Sequence, residues 1–368
     1  MTQTIQKPPG LRALSGTAPA ISRWADRHPA LALLDSMLRG FGQICLMNNP
    51  LSGLLVVVAI AVASPWLAVS FVLAGLAATA AAHGFGYDRG VIRAGLFTFN
   101  GALMGLLAGA FLTPMGEPRI LVYAVIAAIV TVPVMNATVH FFVVTLNAPA
   151  LSATFSFVGL TALLVAPVMA NSLANVAMFA PLERTLGAPD TALRTASGEQ
   201  VSLLDGLFNA VFRGVSEVFL IDNVITGVIL VLAFLVCSRV AAGMAILGSL
   251  TGALTALLMG ADGHTIYLGL WGYNAVVVAI CLFGVSLEPR IAAFIYTLVA
   301  CAASAVLYGA LVQFLGAWGL IPLSLPLVIV IIGSVMALHS SARIPVVPIA
   351  EYSTAEERRI RALAATRK

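Results

Sequence analysis

The chain of 368 residues carries 60% hydrophobic and only 9% charged side chains, with a mean hydropathy of +1.02. Soluble globular chains carry roughly 25% charged residues, so this composition excludes a water-soluble domain and reads as an all-α integral membrane protein. The formal net charge of +4 gathers in the tails and short loops, where it bears on topology and not on nucleic acid.

In chain order, MTQTIQKPPGLRALSGTAPAISRWADRHPA has no compact apolar core before a small-residue cleavage site. It is read as a cytoplasmic N-terminal tail (1–30), disordered up to about Ser22. A first repeat (31–180) opens on an amphipathic stretch at about 31–47, followed by apolar spans near 50–63, 66–84, 93–113, 119–144 and 147–171. The polar segment PLERTLGAPDTALRTASGEQ (181–200) is an extracytoplasmic linker. A second repeat (201–340) has an amphipathic stretch at about 202–220 and spans near 222–237, 241–259, 267–286, 290–315 and 320–338. A basic cytoplasmic tail (341–368) ends in EERRIRALAATRK.

The halves are related. QICLMNNPLSG (43–53) recurs as EVFLIDNVITG (217–227), and GLFTFNGA from Gly95 recurs as GLWGYNAV from Gly269, both 174 positions on (223 − 49 and 269 − 95). Five spans per half is an odd number, so the second half enters the membrane in the opposite sense, giving ten transmembrane helices in two inverted-topology repeats. With the N-terminus cytoplasmic, Arg89, Arg93, Arg239, Arg290 and the C-terminal tail fall on the cytoplasmic side, while GADGHT (260–265) on the other side has no Lys or Arg. That bias places both termini in the cytoplasm. The amphipathic stretches carry Asp35, Arg39 and Gln43, and Asp205, Arg213 and Glu217. They are either interfacial helices or re-entrant half-helices shielded by protein and a watery cavity. The abrupt NNP and DNV breaks favour two re-entrant half-helices, because Pro50 keeps Asn49 extended.

Glu217 carries the strongest functional signal, since an ionisable group in an apolar context is expensive. Its counterpart is Gln43, and the chemistry the two share is an acceptor oxygen suited to a ligand rich in N–H donors. The competing structural role is a pair with Arg213, one helical turn earlier. Asn48, Asn49, Asp222 and Asn223 are read as helix caps, Asp222 in particular as an N-cap. Phe99 and Tyr273, beside Asn100 and Asn274, are candidate walls of a slot, with Leu103 and Val277 four residues on and on the same faces. His83 and His140 meet Leu257 and Phe314 at the repeat offset, which disfavours a histidine-based ammonia relay. Cys45, Cys237, Cys281 and Cys301 lack metal-type spacing and read as packing residues. No metal cluster, nucleophile motif or phosphate loop stands out, so no cofactor and no enzyme activity are expected.

FGQICLMNNPLSGLLVVVAI, RAGLFTFNGALMGLLAGAF and GLWGYNAVVVAICLFGV resemble the urea transporter family, in its bacterial form, over roughly residues 31 to 340. The resemblance implies a homotrimer in a bacterial inner membrane, each protomer with its own pore, and channel-like passage of urea down its gradient without coupling ions. It implies Gln43 and Glu217 as paired acceptors and Phe99 and Tyr273 as slot walls, flanked by Leu103 and Val277. The sequence departs from the family at Leu46 and Leu220, where a Phe commonly stands three residues after the Gln or Glu. Tyr273 replaces a usual Phe, and the signature LPxxTxPF is altered to APALSATF (148–155) and IPLSLPL (321–327), with Ser152 and Ser324 in the Thr places. The expected solute is urea or a small urea-like amide, with the lipid bilayer as the other partner. Two other classes are a proton- or ion-coupled transporter using Glu217, and a sensor or structural membrane protein whose pore has closed.

Overall fold

Proline and polar caps set the helix starts. Pro19, Pro29, Pro50, Pro65 and Pro118 each open a helix, at the position where a missing N–H leaves no bond unmade. The computed structural model describes residues 15–112, 115–166 and 189–365. Its first half runs α1 (Pro19–Ala25), α2 (Pro29–Gln43), α3 (Pro50–Ala63), α4 (Pro65–Gly84), α5 (Arg89–Arg93), α6 (Thr98–Phe111), α7 (Pro118–Val139) and α8 (Ala153–Val165). The second runs α9 (Leu203–Glu217), α10 (Val224–Cys237), α11 (Arg239–Leu258), α12 (Gly263–Tyr267), α13 (Tyr273–Ala279), α14 (Ile291–Gly316) and α15 (Leu325–Leu338), and α16 (Ala355–Ala365) follows. Wider π turns extend α7 through His140–Thr145 and α13 through Ile280–Ser286. The bounds of α2, α3, α4 and α5 each recur 174 positions on as those of α9, α10, α11 and α12, the spacing of the two motifs (223 − 49).

Pro65–Gly84, Pro118–Thr145, Arg239–Leu258 and Ile291–Gly316 are long and apolar enough to cross a membrane. The other apolar helices are shorter. α6 and α15 have 14 residues, or about 21 Å at 1.5 Å per residue, against a hydrocarbon core of about 30 Å. The reason is a set of breaks that periodicity did not reveal. The predicted spans 93–113 and 267–286 are interrupted, with Gly95 (φ 76°) and Gly269 (φ 80°) turning the chain between α5 and α6 and between α12 and α13. The predicted span 147–171 becomes helical only at Ala153, and its last residues lie outside those described. The span 320–338 likewise starts as helix only at Leu325.

The repeated motif acts at the crossing of the halves. A Cβ on Gly53 would run into the carbonyl of Leu38, and one on Gly227 into that of Phe212, so glycine lets α2 and α9 lie directly on α3 and α10. Ser52 Oγ donates to the carbonyl of Ala233 (2.6 Å), and Thr226 Oγ1 donates to that of Ala59 (3.2 Å). These are the same two positions with their roles exchanged between the halves, and they make α3 and α10 antiparallel neighbours. Asn49 caps α3 by accepting from Leu51 N and Ser52 N, and Asn223 caps α10 by accepting from Thr226 N. Asp222 is not a cap, contrary to the sequence reading. Its carboxylate pairs with Arg213.

Neither end of the described chain is a loose tail. The expectation of disorder up to about Ser22 fails from residue 15 onward, because polar contacts hold this segment down. Gly16 N donates to the carbonyl of Cys237 (2.9 Å), Asn49 Nδ2 donates to that of Gly16 (2.7 Å), and Arg39 donates to that of Thr17 (2.9 Å). The C-terminal residues fold back onto the same end. Glu357 accepts from Thr17 N and Oγ1 (2.8 and 3.0 Å), and Glu356 accepts from Ser238 Oγ and Val240 N at the start of α11 (2.8 and 3.0 Å). The described part of the linker, from residue 189, is partly ordered, with Leu193 buried beside α9 and Asp190 accepting from Gly263 N.

A buried ionic cluster locks the first half. Asp35 pairs with Arg39 (2.9 Å) and Arg93 (3.1 Å), the Asp35 and Arg39 side chains being 3% and 5% exposed. The counterpart of Arg39 is Arg213, whose side chain is 19% exposed, on an Asp222 that is 39% exposed, and which also lies over the Tyr267 ring (4.8 Å). Removing one member of a buried pair costs about 3–5 kcal/mol, whereas an exposed pair is worth about 0–1. Arg39→Met is therefore expected to lower the unfolding midpoint in detergent far more than Arg213→Met. Equal losses in the two variants would contradict this reading of the cluster.

Candidate functional site

α2 ends at Gln43 and α9 at Glu217, and both chains turn off the helix in the same way. Leu46 N donates to the carbonyl of Gln43 (3.0 Å) and Met47 N to that of Gly42 (3.0 Å), while Leu220 N donates to that of Glu217 (2.9 Å). The turns need a left-handed residue, a place usually filled by glycine. Here it is Leu46 (φ 62°) and Leu220 (φ 56°). A second pair, Leu151 (φ 50°) and Leu323 (φ 49°), precedes Ser152 and Ser324. The left-handed conformation costs a non-glycine residue roughly 1–2 kcal/mol, and such strain clusters at functional sites.

All four leucines line one of two adjoining cavities. The wider, of about 440 Å³, has Gln43, Leu46, Phe99, Leu151, Ser152 and Val277 in its wall. The narrower, of about 30 Å³, has Leu103, Glu217, Leu220, Tyr273, Leu323 and Ser324. Ile44, Ser152, Val277 and Leu327 belong to both, so the cavities meet there. The ten residues singled out from the sequence thus all line one or other of these two adjoining cavities. A further apolar cavity of about 440 Å³, between α6, α7 and α8, contains none of them.

The two acceptors differ in how they are held. Gln43 Nε2 donates to the carbonyl of Ala94 (3.2 Å), which leaves Oε1 for the cavity. The Glu217 carboxylate makes no hydrogen bond or ion pair among the described residues, because Arg213 is turned to Asp222 instead. Between them the hydroxyls are also unequal. Ser324 Oγ lies 2.8 Å from Ser156 Oγ and donates to the carbonyl of Ser152 at 3.3 Å. The Ser152 hydroxyl makes no hydrogen bond among the described residues. Tyr273 is more than a ring: its hydroxyl donates to the carbonyl of Leu323 (2.7 Å), and Tyr308 packs edge-on against it (5.6 Å, 83°).

The helix N-termini that carry the serines are capped from outside. Neither Ser152 nor Ser324 caps its own helix through its side chain. Instead Asn100 Oδ1 accepts from Phe155 N and Asn274 Oδ1 accepts from Leu327 N, both at 3.1 Å. Each asparagine sits at the start of a broken helix and satisfies an amide that would otherwise be stranded.

Residues 34–339 match the family model described as "Urea transporter". The chain belongs to the urea transporter family. Curated relatives agree at low identity. The chain is 25% identical to "Urea transporter 1" of Ovis aries over 98% of its own length and 92% of the relative's, and 26% identical to that of Capra hircus with the same coverage. It is 28% identical to "Urea transporter 1" of Mus musculus over 74% and 68% of the two chains.

Sequence reasoning did not find three features at or behind the cavity walls: Ser156, the left-handed leucines, and the capping role of Asn100 and Asn274. Ser156 stands one helical turn after Ser152 in APALSATFS, a spacing that would have put it beside the path. In the sequence the asparagines stand out only as neighbours of the aromatic residues. Their loss strands a buried amide, which costs about 1–3 kcal/mol. Asn100→Ala and Asn274→Ala are each expected to lower the unfolding midpoint by several degrees. Wild-type midpoints in both variants would remove the capping assignment.

Proposed function

We propose that this family member is a channel-like facilitator that passes urea, or a small urea-like amide, down its gradient. The observation that carries the reading is the placement of Gln43 and Glu217. They are acceptors at equivalent positions of the two halves, in cavities that meet at Ser152, and neither acceptor oxygen has a protein donor among the described residues. Urea is flat and presents four N–H donors and one carbonyl. The narrow cavity, at about 30 Å³, is far smaller than the wider one at about 440 Å³, so a solute crosses it without its full hydration shell. Protein oxygens then replace water, and binding must stay weak enough for release. Phe99, Tyr273, Leu103, Val277, Leu46 and Leu220 form the walls, and Ser152 and Ser324 the central polar step. The family's function is transport, and no residue here is assigned to catalysis.

The same reading assigns ten spans and two re-entrant half-helices, α2 and α9, to two inverted repeats. Support comes from the shared spacing of helix bounds and from the exchanged bonds between antiparallel α3 and α10. Cytoplasmic termini follow from the distribution of arginines over the loops. A homotrimer in a bacterial inner membrane is carried by the family resemblance alone. Proton or ion coupling through Glu217 has less support, because Glu217 is the one acid among the described residues lining either cavity.

An unpaired buried N–H costs roughly 1–3 kcal/mol, and 1.4 kcal/mol is tenfold in rate. Gln43→Ala and Glu217→Ala are each expected to slow urea entry into proteoliposomes by about tenfold. Glu217→Gln is expected to keep most of the flux, since the amide retains an acceptor oxygen at the same place, as Gln43 does in the other half. Wild-type flux in both alanine variants at equal incorporation would sink the assignment. Flux that follows an imposed proton gradient would instead favour coupling.

A further inference from the structure

The hydroxyl chemistry of the central step has a direction, and its origin lies outside the family signature. Ser156 is fully buried, and its Oγ lies 2.8 Å from Ser324 Oγ, its one hydrogen-bond partner among the described residues. By the spacing that relates Ser152 to Ser324 (324 − 152), its counterpart is Val328, so no hydroxyl holds Ser152 in the same way. Each serine has one proton. Ser324 has a second acceptor within reach, the carbonyl of Ser152 at 3.3 Å, whereas Ser156 has no other. One arrangement satisfies both protons: Ser156 donates to Ser324, and Ser324 donates to the Ser152 carbonyl. The reverse strands the Ser156 proton in a buried site, which is disfavoured.

We infer that Ser156 is a positioning residue that fixes Ser324 as a pure acceptor at the narrow step and leaves Ser152 as the adjustable hydroxyl. Ser324 lines only the narrow cavity, beside Glu217, whereas Ser152 lines both. A solute amide therefore meets Ser324 with its N–H edge, and its carbonyl is met by the Ser152 proton. Without Ser156, the long bond from Ser324 to the Ser152 carbonyl is all that restrains the hydroxyl. Its proton can then swing into the path, where the solute brings its own donors. The inference rests on the proposed path through Ser324.

The test is stopped-flow urea flux through the full chain in proteoliposomes, normalised to incorporated protein, for Ser156→Ala, Ser156→Thr, Ser324→Ala and the double alanine variant. Ser156→Ala is expected to slow urea about fivefold, the effect of losing one net hydrogen bond, while Ser156→Thr stays within about twofold because it keeps the hydroxyl. On the Ser324→Ala background, Ser156→Ala is expected to add nothing, since the group it orients is gone. An unchanged rate in Ser156→Ala, alongside a slowed Ser324→Ala, overturns the inference and leaves the path intact. The same loss from Ser156→Ala on both backgrounds overturns it too, because damage to packing would not depend on Ser324. An unchanged rate in Ser324→Ala removes the path itself.

Discussion

A helix that stops partway through a bilayer leaves orphan amides and carbonyls where no water can reach them. The helix ends beside the two cavities are satisfied within the protein. Asn100 and Asn274 take the amides at the starts of α8 and α15. Left-handed leucines let the carbonyls of Gln43 and Glu217 bond to the turn that follows them. Because the backbone is satisfied by these devices, a few side-chain oxygens are left over, and they line the two cavities. The channel chemistry is the remainder of the helix-end accounting.

The two halves share a frame and differ in a few atoms. Helix bounds recur, and the bonds between α3 and α10 exchange roles. Against that background the counterpart of Gln43 is Glu217, that of Ser156 is Val328, and that of the buried Asp35–Arg39–Arg93 cluster is a more exposed Arg213–Asp222 pair. The N-terminal segment bonds to both halves, at Arg39, Asn49 and Cys237, and the C-terminal segment docks on Thr17 and on the start of α11. The second half has the cavity-lining Glu217, whose carboxylate has no partner among the described residues. A repeat with Glu at both positions would have placed like charges in the two adjoining cavities, with mutual repulsion to overcome.

Much of this was legible in the chain. The segment 50–63 came out as α3 because Asn49 and Pro50 start it and Ser64 and Pro65 end it. Gln43 and Glu217, which line the cavities, were legible because polar groups in an apolar sequence are rare, and two copies at one offset rule out coincidence. The breaks at Gly95 and Gly269, and before Ala153 and Leu325, were not legible, since apolar residues run through them and hydropathy counts residues without seeing φ. Leucine gives no sign that it occupies a left-handed position, so Leu46 and Leu220 read as lost rings when they are also strained turns. Asp222 misled because an acid before a helix looks like a cap, whereas the geometry gives the cap to Asn223 and the acid to Arg213. The N-terminal segment reads as a disordered tail on composition, yet Gly16 and Thr17 bond to residues more than two hundred positions away, which a local reading cannot anticipate.

The claim at the centre is that urea is held between Gln43 and Glu217. The most direct measurement is an experimental structure of the protein bound to a heavy-atom analogue of urea, with the analogue located by its scattering. The account predicts density within hydrogen-bond distance of Gln43 Oε1 or the Glu217 carboxylate, in the cavities that meet at Ser152. Density confined to the apolar cavity between α6, α7 and α8, with both acceptors vacant, would contradict it.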